Sequence, residues 1–214
     1  MNIHAFYARV SPQFRQRRLR KFFALVRPQP SERLLDVGGY PWCWPPEMRR
    51  AQITLLNLAF PPEVKTAAAG AFDLVAGDGC ALPFADGAFD IVFSNSVIEH
   101  VGTWEQQQRL AAESRRVGRR LWVQTPAHEF FVEPHLLAPF VHWLPCPCQR
   151  RLLRYGTPWG WLTRPDRTQI DAFLAEVRLL TFREMRQLFP DCTILRERFL
   201  GMTKSYIAVR TAAP

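Results

Sequence analysis

The sequence has no apolar run near the roughly 20 residues that a membrane-spanning helix needs. Its longest candidates, FFALV from Phe22 and LLAPFVHWL from Leu136, are far shorter. The start, MNIHAFYARV, lacks a hydrophobic segment followed by a small-residue cleavage site, so a cytoplasmic protein is expected. Cysteine is sparse. The five residues, Cys43, Cys80, Cys146, Cys148 and Cys192, are an odd number, and their one close pair is CxC rather than CxxC. That excludes a disulfide framework and a cysteine zinc site, and reduced thiols are expected. Glycine is limited to 11 of 214 residues, and neither GxGxxG nor GxxxxGK[ST] occurs, which excludes a dinucleotide fingerprint and a P-loop. Lysine is nearly missing, because 25 of the 28 basic residues are arginine.

What is present is an ordinary globular balance, 48% hydrophobic and 22% charged, which excludes a disordered chain, a collagen-like repeat and a coiled coil. A chain of this length buries roughly 70% of its unfolded surface, so one domain over 1–214 is expected, with no structural metal. The net charge is +9. Arg9, Arg15, Arg17, Arg18, Arg20, Lys21, Arg27 and Arg33 face a single acid, Glu32, in the first 33 residues. Further clusters are Arg115, Arg116, Arg119, Arg120 and Arg150, Arg151, Arg154. Such fields attract phosphate on nucleic acid or on an anionic membrane, although charge runs are more often solvated faces.

Ser11 and Pro12 suit the start of a basic helix over 12–26, ended by PQP at 28–30. Apolar strand-like runs then follow at Arg33–Val37, Ile53–Leu58, Leu74–Ala76, Asp90–Ser94 and Leu121–Gln124. Helical stretches are expected near Pro46–Arg50 and at Trp104–Arg116. The alternation predicts an α/β fold, a parallel sheet with helices on its faces. Residues 126–165 are dense in proline, tryptophan and histidine and are expected to form an inserted lid, neither strand nor regular helix. Helices at Thr168–Leu179 and Thr181–Leu188 and a hairpin of Thr193–Phe199 with Ser205–Arg210 around Gly201 close the chain.

The first strand runs RLLDVGGYPW: an acid, Asp36, then Gly38 and Gly39, where glycine allows a tight turn and a close approach to a ligand. Asn57 ends the second strand in LLNL, and residues 77–101 read GDGCALPFADGAFDIVFSNSVIEHV. In this order of motifs the chain resembles the class I S-adenosylmethionine-dependent methyltransferases, in particular the small-molecule type 11 branch. The most specific stretch is LPFADGAFD. The resemblance implies a doubly wound, Rossmann-like, mostly parallel sheet with an antiparallel last strand, and S-adenosylmethionine as cofactor. It places Asp36, Gly38 and Gly39 beneath the methionine end, Asn57 at the ribose and Asp78, with Gly79 and Cys80, at the adenine, while Asn95 ends the fourth strand beside them. Where the family repeats glycine in DxGxGxG, this chain has Tyr40 and Trp42, which implies a pocket reshaped by these rings or a site they have closed.

Methyl transfer requires nucleophile and methyl held in line, and a hydroxyl or ammonium nucleophile also needs a base. His100, with Glu99 second, is the candidate catalytic base at the end of the fourth strand. A packing role for His100 is as frequent for such a residue. His128, Glu133, His135 and Trp143 of the insertion, beside Glu129 and His142, suit an acceptor pocket. Their spacing matches no metal motif, and no metal is expected. Phe140, Trp143 and Leu144 ahead of Arg150, Arg151 and Arg154 also suit peripheral contact with an anionic lipid surface. Ser94-Asn95-Ser96-Val97 is not the Asn/Asp-Pro-Pro-aromatic motif of base methyltransferases, which argues against nucleic acid. The expectation is therefore methyl transfer to a small molecule, lipid headgroup or sugar, with no obligate protein partner. The alternatives are an RNA or protein methyltransferase using the arginine-rich start, and a non-catalytic relic.

Overall fold

The computed structural model describes residues 3–46, 48, 52–136 and 138–211, with only the backbone given for 3–13. The N-terminal helix, α1, spans Ile3–Val26. It therefore starts nine residues before the expected position. Ser11 and Pro12 lie within it, and no glycine or proline precedes them. The strands β1 (Arg33–Val37), β2 (Gln52–Asn57), β3 (Asp73–Ala76), β4 (Phe89–Asn95) and β5 (Gly118–Pro126) match the apolar runs within three residues at either end. Helices α2 (Pro62–Ala68) and α3 (Trp104–Val117) connect them. Between β1 and β2 stands a short 3-10 turn at Pro41–Cys43, and most of the expected Pro46–Arg50 helix lies outside the described residues.

Seven strands form one sheet in the order β3-β2-β1-β4-β5-β9-β8, where β8 is Thr193–Phe199 and β9 is Met202–Arg210. Strands β1 to β5 pair in parallel, and β9 runs antiparallel to both β5 and β8. The chain direction of growth reverses between β1 and β4, and ligands of doubly wound sheets bind above such a switch point. Alternate residues of each strand enter opposite cores. Leu34, Ile53, Leu55, Ile91, Phe93 and Trp122 pack under α1 against Phe22 and Val26. Leu35, Val37, Leu56, Val92, Leu121 and Val123 pack against α3 and the helix α7 (Phe182–Leu188). Phe22 is fully buried and edge-on to Trp44, Phe93 and Trp122 at 5.0–6.0 Å, so truncating it to alanine costs about 3–5 kcal/mol.

The insertion is ordered, contrary to the irregular lid expected. It holds a two-stranded hairpin, β6 (Val132–Glu133) with β7 (Ala138–Pro139), and helices α4 (Cys146–Tyr155) and α5 (Pro158–Thr163). Helix α6 (Arg167–Glu176) follows. Proline density misleads here because Pro147 and Pro158 occupy first-turn positions, where a missing N–H costs nothing. Thr157 caps α5 through the Gly160 N–H, and Asp166 with Gln169 forms a capping box on α6. A Cβ on Gly160 would lie 2.0 Å from the Leu153 carbonyl, so only glycine lets α5 fold back on α4. Leu136, Ala138, Val141, Leu153 and Ile170 give this segment a small core of its own.

Candidate active site

The turn after β1 is shaped from beneath by a buried acid. Asp36 is 2% exposed, and its Oδ2 accepts a 2.8 Å hydrogen bond from the Trp44 indole Nε1. Burial pushes its carboxyl up to about 7, against the lowering effects of that hydrogen bond and of the Arg15 charge. Gly38 has φ +77, a conformation that favours glycine, and a Cβ there would fall 2.4 Å from Val97. A Cβ on Gly39 would fall 1.8 Å from Asp36 Oδ2. The two glycines thus let the turn fold over the carboxylate and against the chain leaving β4. Ser94 Oγ, donating to the Val37 carbonyl at 3.2 Å, ties the ends of β1 and β4 together.

Around this turn the structure gathers most of the residues assigned to the cofactor. Asn57 Nδ2 donates to the Gly39 carbonyl at 2.7 Å, which fixes the amide and leaves its oxygen to accept a hydroxyl. Asp78 is exposed, and its Oδ1 accepts from the Cys80 N–H at 2.8 Å, an Asx turn that leaves the second oxygen open. A Cβ on Gly79 would touch Val37 at 3.1 Å, so this loop sits directly on the end of β1. Burial and the neighbouring Asp78 charge push the Cys80 thiol up to about 11, and its Sγ donates to the Gln106 carbonyl. Tyr40 and Trp42 stack on each other with ring centroids 4.9 Å apart and an 11° interplanar angle. Trp42 is 60% exposed, so the pair walls the turn and does not plug it. Asn95 Oδ1 accepts from Arg18 at 3.3 Å, and the same guanidinium donates to Gln124 and Glu197.

These groups fit S-adenosylmethionine: an open carbonyl oxygen at Asn57 for a ribose hydroxyl, an open carboxylate oxygen at Asp78 for the adenine amine, and a glycine turn over Asp36. Trp44 is the residue the motif reading passed over. Its signal is position alone, two residues after the aromatic replacing the third glycine, and its indole satisfies the buried acid.

The acceptor-side candidates split into two groups. Glu99 is fully buried; its Oε2 accepts from Thr125 Oγ1 at 3.0 Å, and its Oε1 has no hydrogen-bond partner among the described residues. Burial raises its pKa, opposed by the charges of His100 and His135. His100 Nδ1 lies 3.4 Å from Glu176 Oε1. The insertion brings His135 beside them, with the His100 and His135 imidazole centroids 4.7 Å apart and edge to face. His135 Nδ1 meets Glu133 Oε1 at 2.6 Å, and Glu133 Oε2 accepts from the Leu136 N–H at 2.6 Å. Burial works against the His135 imidazolium, but the bond to Glu133 and the charges of Glu133, Glu99 and Glu176 hold its pKa above the usual value.

His128 and Trp143 stand apart. The His128 carbonyl accepts from His142 Nε2 at 2.9 Å and from Trp143 Nε1 at 2.8 Å, so the Trp143 indole braces the loop. Burial lowers the His142 pKa. His128, Glu133, His142, Arg178 and Glu184 line a cavity of about 390 Å³ against the insertion. Arg178 connects it to the sheet edge, its N–H donating to the Glu99 carbonyl at 2.8 Å.

Residues 38–120 match the family described as a methyltransferase domain. An uncharacterized methyltransferase of Mycolicibacterium vanbaalenii is 37% identical over 91 residues, which are 40% of this chain and 34% of that protein. The chain spans about a third of the length of this curated relative. Among solved structures, magnesium protoporphyrin IX methyltransferase from Synechocystis with bound S-adenosylhomocysteine superposes with a TM-score of 0.56 at 12% identity, over 92% of this chain and 82% of that one. Phosphoethanolamine N-methyltransferase 2 of Haemonchus contortus in complex with S-adenosylmethionine gives 0.54 at 13% identity, over 85% and 38%. At such identities the likeness is one of fold. The matched segment holds the glycine turn, Asn57, Asp78 and the β4 exit, so it is this part of the chain that is similar to the methyltransferase domain, on a fold shared with solved S-adenosylmethionine-dependent methyltransferases.

Proposed function

We propose that the protein transfers a methyl group from S-adenosylmethionine to a small-molecule, lipid-headgroup or sugar acceptor held between the sheet edge and the lid. The observation that carries this reading is the meeting of Glu99 and His100, from the β4 exit, with His135 of the lid. Proton-accepting groups from two separate segments converge beside the cofactor turn. When bound, the cofactor supplies an electrophilic methyl on a sulfonium. The chain's contribution is to hold the acceptor in line, exclude water and take its proton. His100, with Nδ1 turned to Glu176, offers Nε2 as the proton acceptor, and Glu99 stands behind it. Tyr40 and Trp42 wall the turn where smaller residues would leave it open to water.

The basic clusters lend little support to a nucleic-acid substrate. Arg115, Arg116, Arg119 and Arg120 each pair with a carboxylate of Asp191, Asp86, Glu113, Asp90 or Glu32. The lid supports an amphipathic acceptor or a lipid surface instead: Leu152, Tyr155, Trp161 and Leu162 are exposed beside Arg151 and Arg154. Among the described residues no helix is long and apolar enough to cross a membrane. Titration calorimetry with S-adenosylmethionine and S-adenosylhomocysteine tests the reading, followed by a radiolabelled-methyl screen of metabolites and lipids. Micromolar binding and label transfer are expected. A folded sample that binds neither compound overturns it.

A further inference from the structure

We propose that Glu99, His100 and His135 form a binding site for one divalent first-row transition-metal ion of the zinc type. One ligand atom from each of the three lies within 4.8 Å of the other two. Tetrahedral zinc with bonds of about 2.0–2.1 Å needs ligand atoms roughly 3.3 Å apart, so closure takes about 1.5 Å of side-chain movement. Two histidines and one carboxylate with open positions are a donor set that borderline divalent ions accept.

Three independent features of the surroundings prepare the cluster for a cation. Among the described residues Glu99 Oε1 finds no hydrogen-bond partner although the residue is fully buried, and an unmet buried acceptor costs about 1–3 kcal/mol. A cation offers that oxygen the partner it lacks. His135 has its Nδ1 committed to Glu133, which leaves Nε2 as the coordinating nitrogen, and a carboxylate behind a metal-ligating histidine fixes both tautomer and ring orientation. Glu133 is itself locked by the Leu136 N–H and is 2% exposed, so this support is rigid. His100 repeats the arrangement more loosely, Nδ1 facing Glu176 at 3.4 Å. Glu133 and Glu176 stand behind the two imidazoles, so acidic groups surround the place a dication would take.

Metal binding stands whether or not the chain transfers methyl groups. Its consequence for an acceptor rests on the methyltransferase reading: an acceptor hydroxyl bound at an open position would lose its proton more readily, and His100 Nε2 would then be a ligand and not the base.

The test uses untagged full-length protein stripped with a chelator, then titrated with Zn²⁺ against a chromophoric competitor, with Mn²⁺ and Co²⁺ in parallel. One equivalent bound at submicromolar Kd is expected for Zn²⁺. His135→Ala and Glu99→Gln should each weaken binding at least about 100-fold, and Glu133→Gln, which keeps all three ligands, about 10–100-fold. Cys146→Ser/Cys148→Ser should bind as the parent does. If His135→Ala does not fold by circular dichroism, His100→Gln, at a half-exposed position, takes its place. Absence of stoichiometric binding for all three ions overturns the proposal, as does affinity that survives His135→Ala or disappears with the two cysteines. Cofactor titration of the stripped protein separates the two readings, since S-adenosylmethionine binding without a metal site leaves the methyltransferase reading standing.

Discussion

Replacing Asp36 by asparagine removes a charge that the fold holds at a cost. In the folded protein its carboxyl is pushed from 3.8 to about 7, chiefly by burial. Below about pH 4 both folded and unfolded chains keep the proton, and the full stability is present. Between about 4 and 7 the unfolded chain has lost the proton while the folded chain retains it, so stability falls as pH rises. At about 1.4 kcal/mol per pH unit, the span amounts to roughly 4 kcal/mol, all of it spent by the time pH passes about 7. Asparagine is neutral throughout and still accepts the Trp44 indole bond, so it lacks this slope. Carboxylates held low by arginine, such as Asp191 beside Arg210, slope the other way in both proteins and cancel in the comparison. Urea unfolding followed by circular dichroism at half-unit steps from pH 4.5 to 8 gives the difference curve. Asp36→Asn should gain several kcal/mol relative to the parent across that range. Parallel stability curves would refute a buried, proton-retaining Asp36.

Trp44→Phe removes the only side-chain donor recorded for that carboxylate among the described residues, and should cost about 1–3 kcal/mol in unfolding free energy and carry the falling limb above pH 7. Asp78→Ala should weaken S-adenosylmethionine binding by about 1–3 kcal/mol in calorimetry, and unchanged affinity would remove Asp78 from the adenine subsite. His100→Ala should lower turnover with cofactor affinity nearly unchanged, and loss of cofactor binding would mark it as a packing residue. Gly39→Ala should abolish cofactor binding or folding, read by calorimetry and circular dichroism, because its methyl would occupy the space of Asp36 Oδ2, 1.8 Å away.

How far the sequence reveals such a site depends on whether the partners are local. The sheet was readable because each strand carries its apolar residues in one run, whereas the Asx turn at Asp78 was seen only in the structure. The glycine turn and the strand ends around it were legible through motif order, yet Trp44 was not, since nothing local says that its indole turns back eight residues to Asp36. The lid helices were hidden because proline in a first turn and proline in a loop read alike. The cluster of Glu99, His100 and His135 was hidden for a different reason. Spacing within 128–135 matches no metal motif, and the third member stands 35 residues beyond His100, brought back by the β6–β7 hairpin and the hydrogen bond from the Arg178 N–H to the Glu99 carbonyl.

The arginine excess also changes meaning once its partners are known. A planar guanidinium with five donors can hold several carbonyls at once, which an ammonium cannot do in fixed geometry. Arg116 donates to the carbonyls of Leu82 and Phe84 and to the carboxylates of Asp86 and Glu113, fastening the loop after Asp78 to α3. Arg210 donates to the carbonyls of Arg115, Gly118 and Arg119 and to Asp191, closing the last strand onto the α3–β5 corner. Arg18 joins α1 to Asn95, Gln124 and Glu197 across three strands. Lysine at Arg116 or Arg210 would leave carbonyls without donors, so at these positions arginine has a structural use. The field available to an anionic ligand therefore belongs to arginines that stand outward, such as Arg151 and Arg154 of the insertion, and it lies beside the exposed Leu152 and Tyr155.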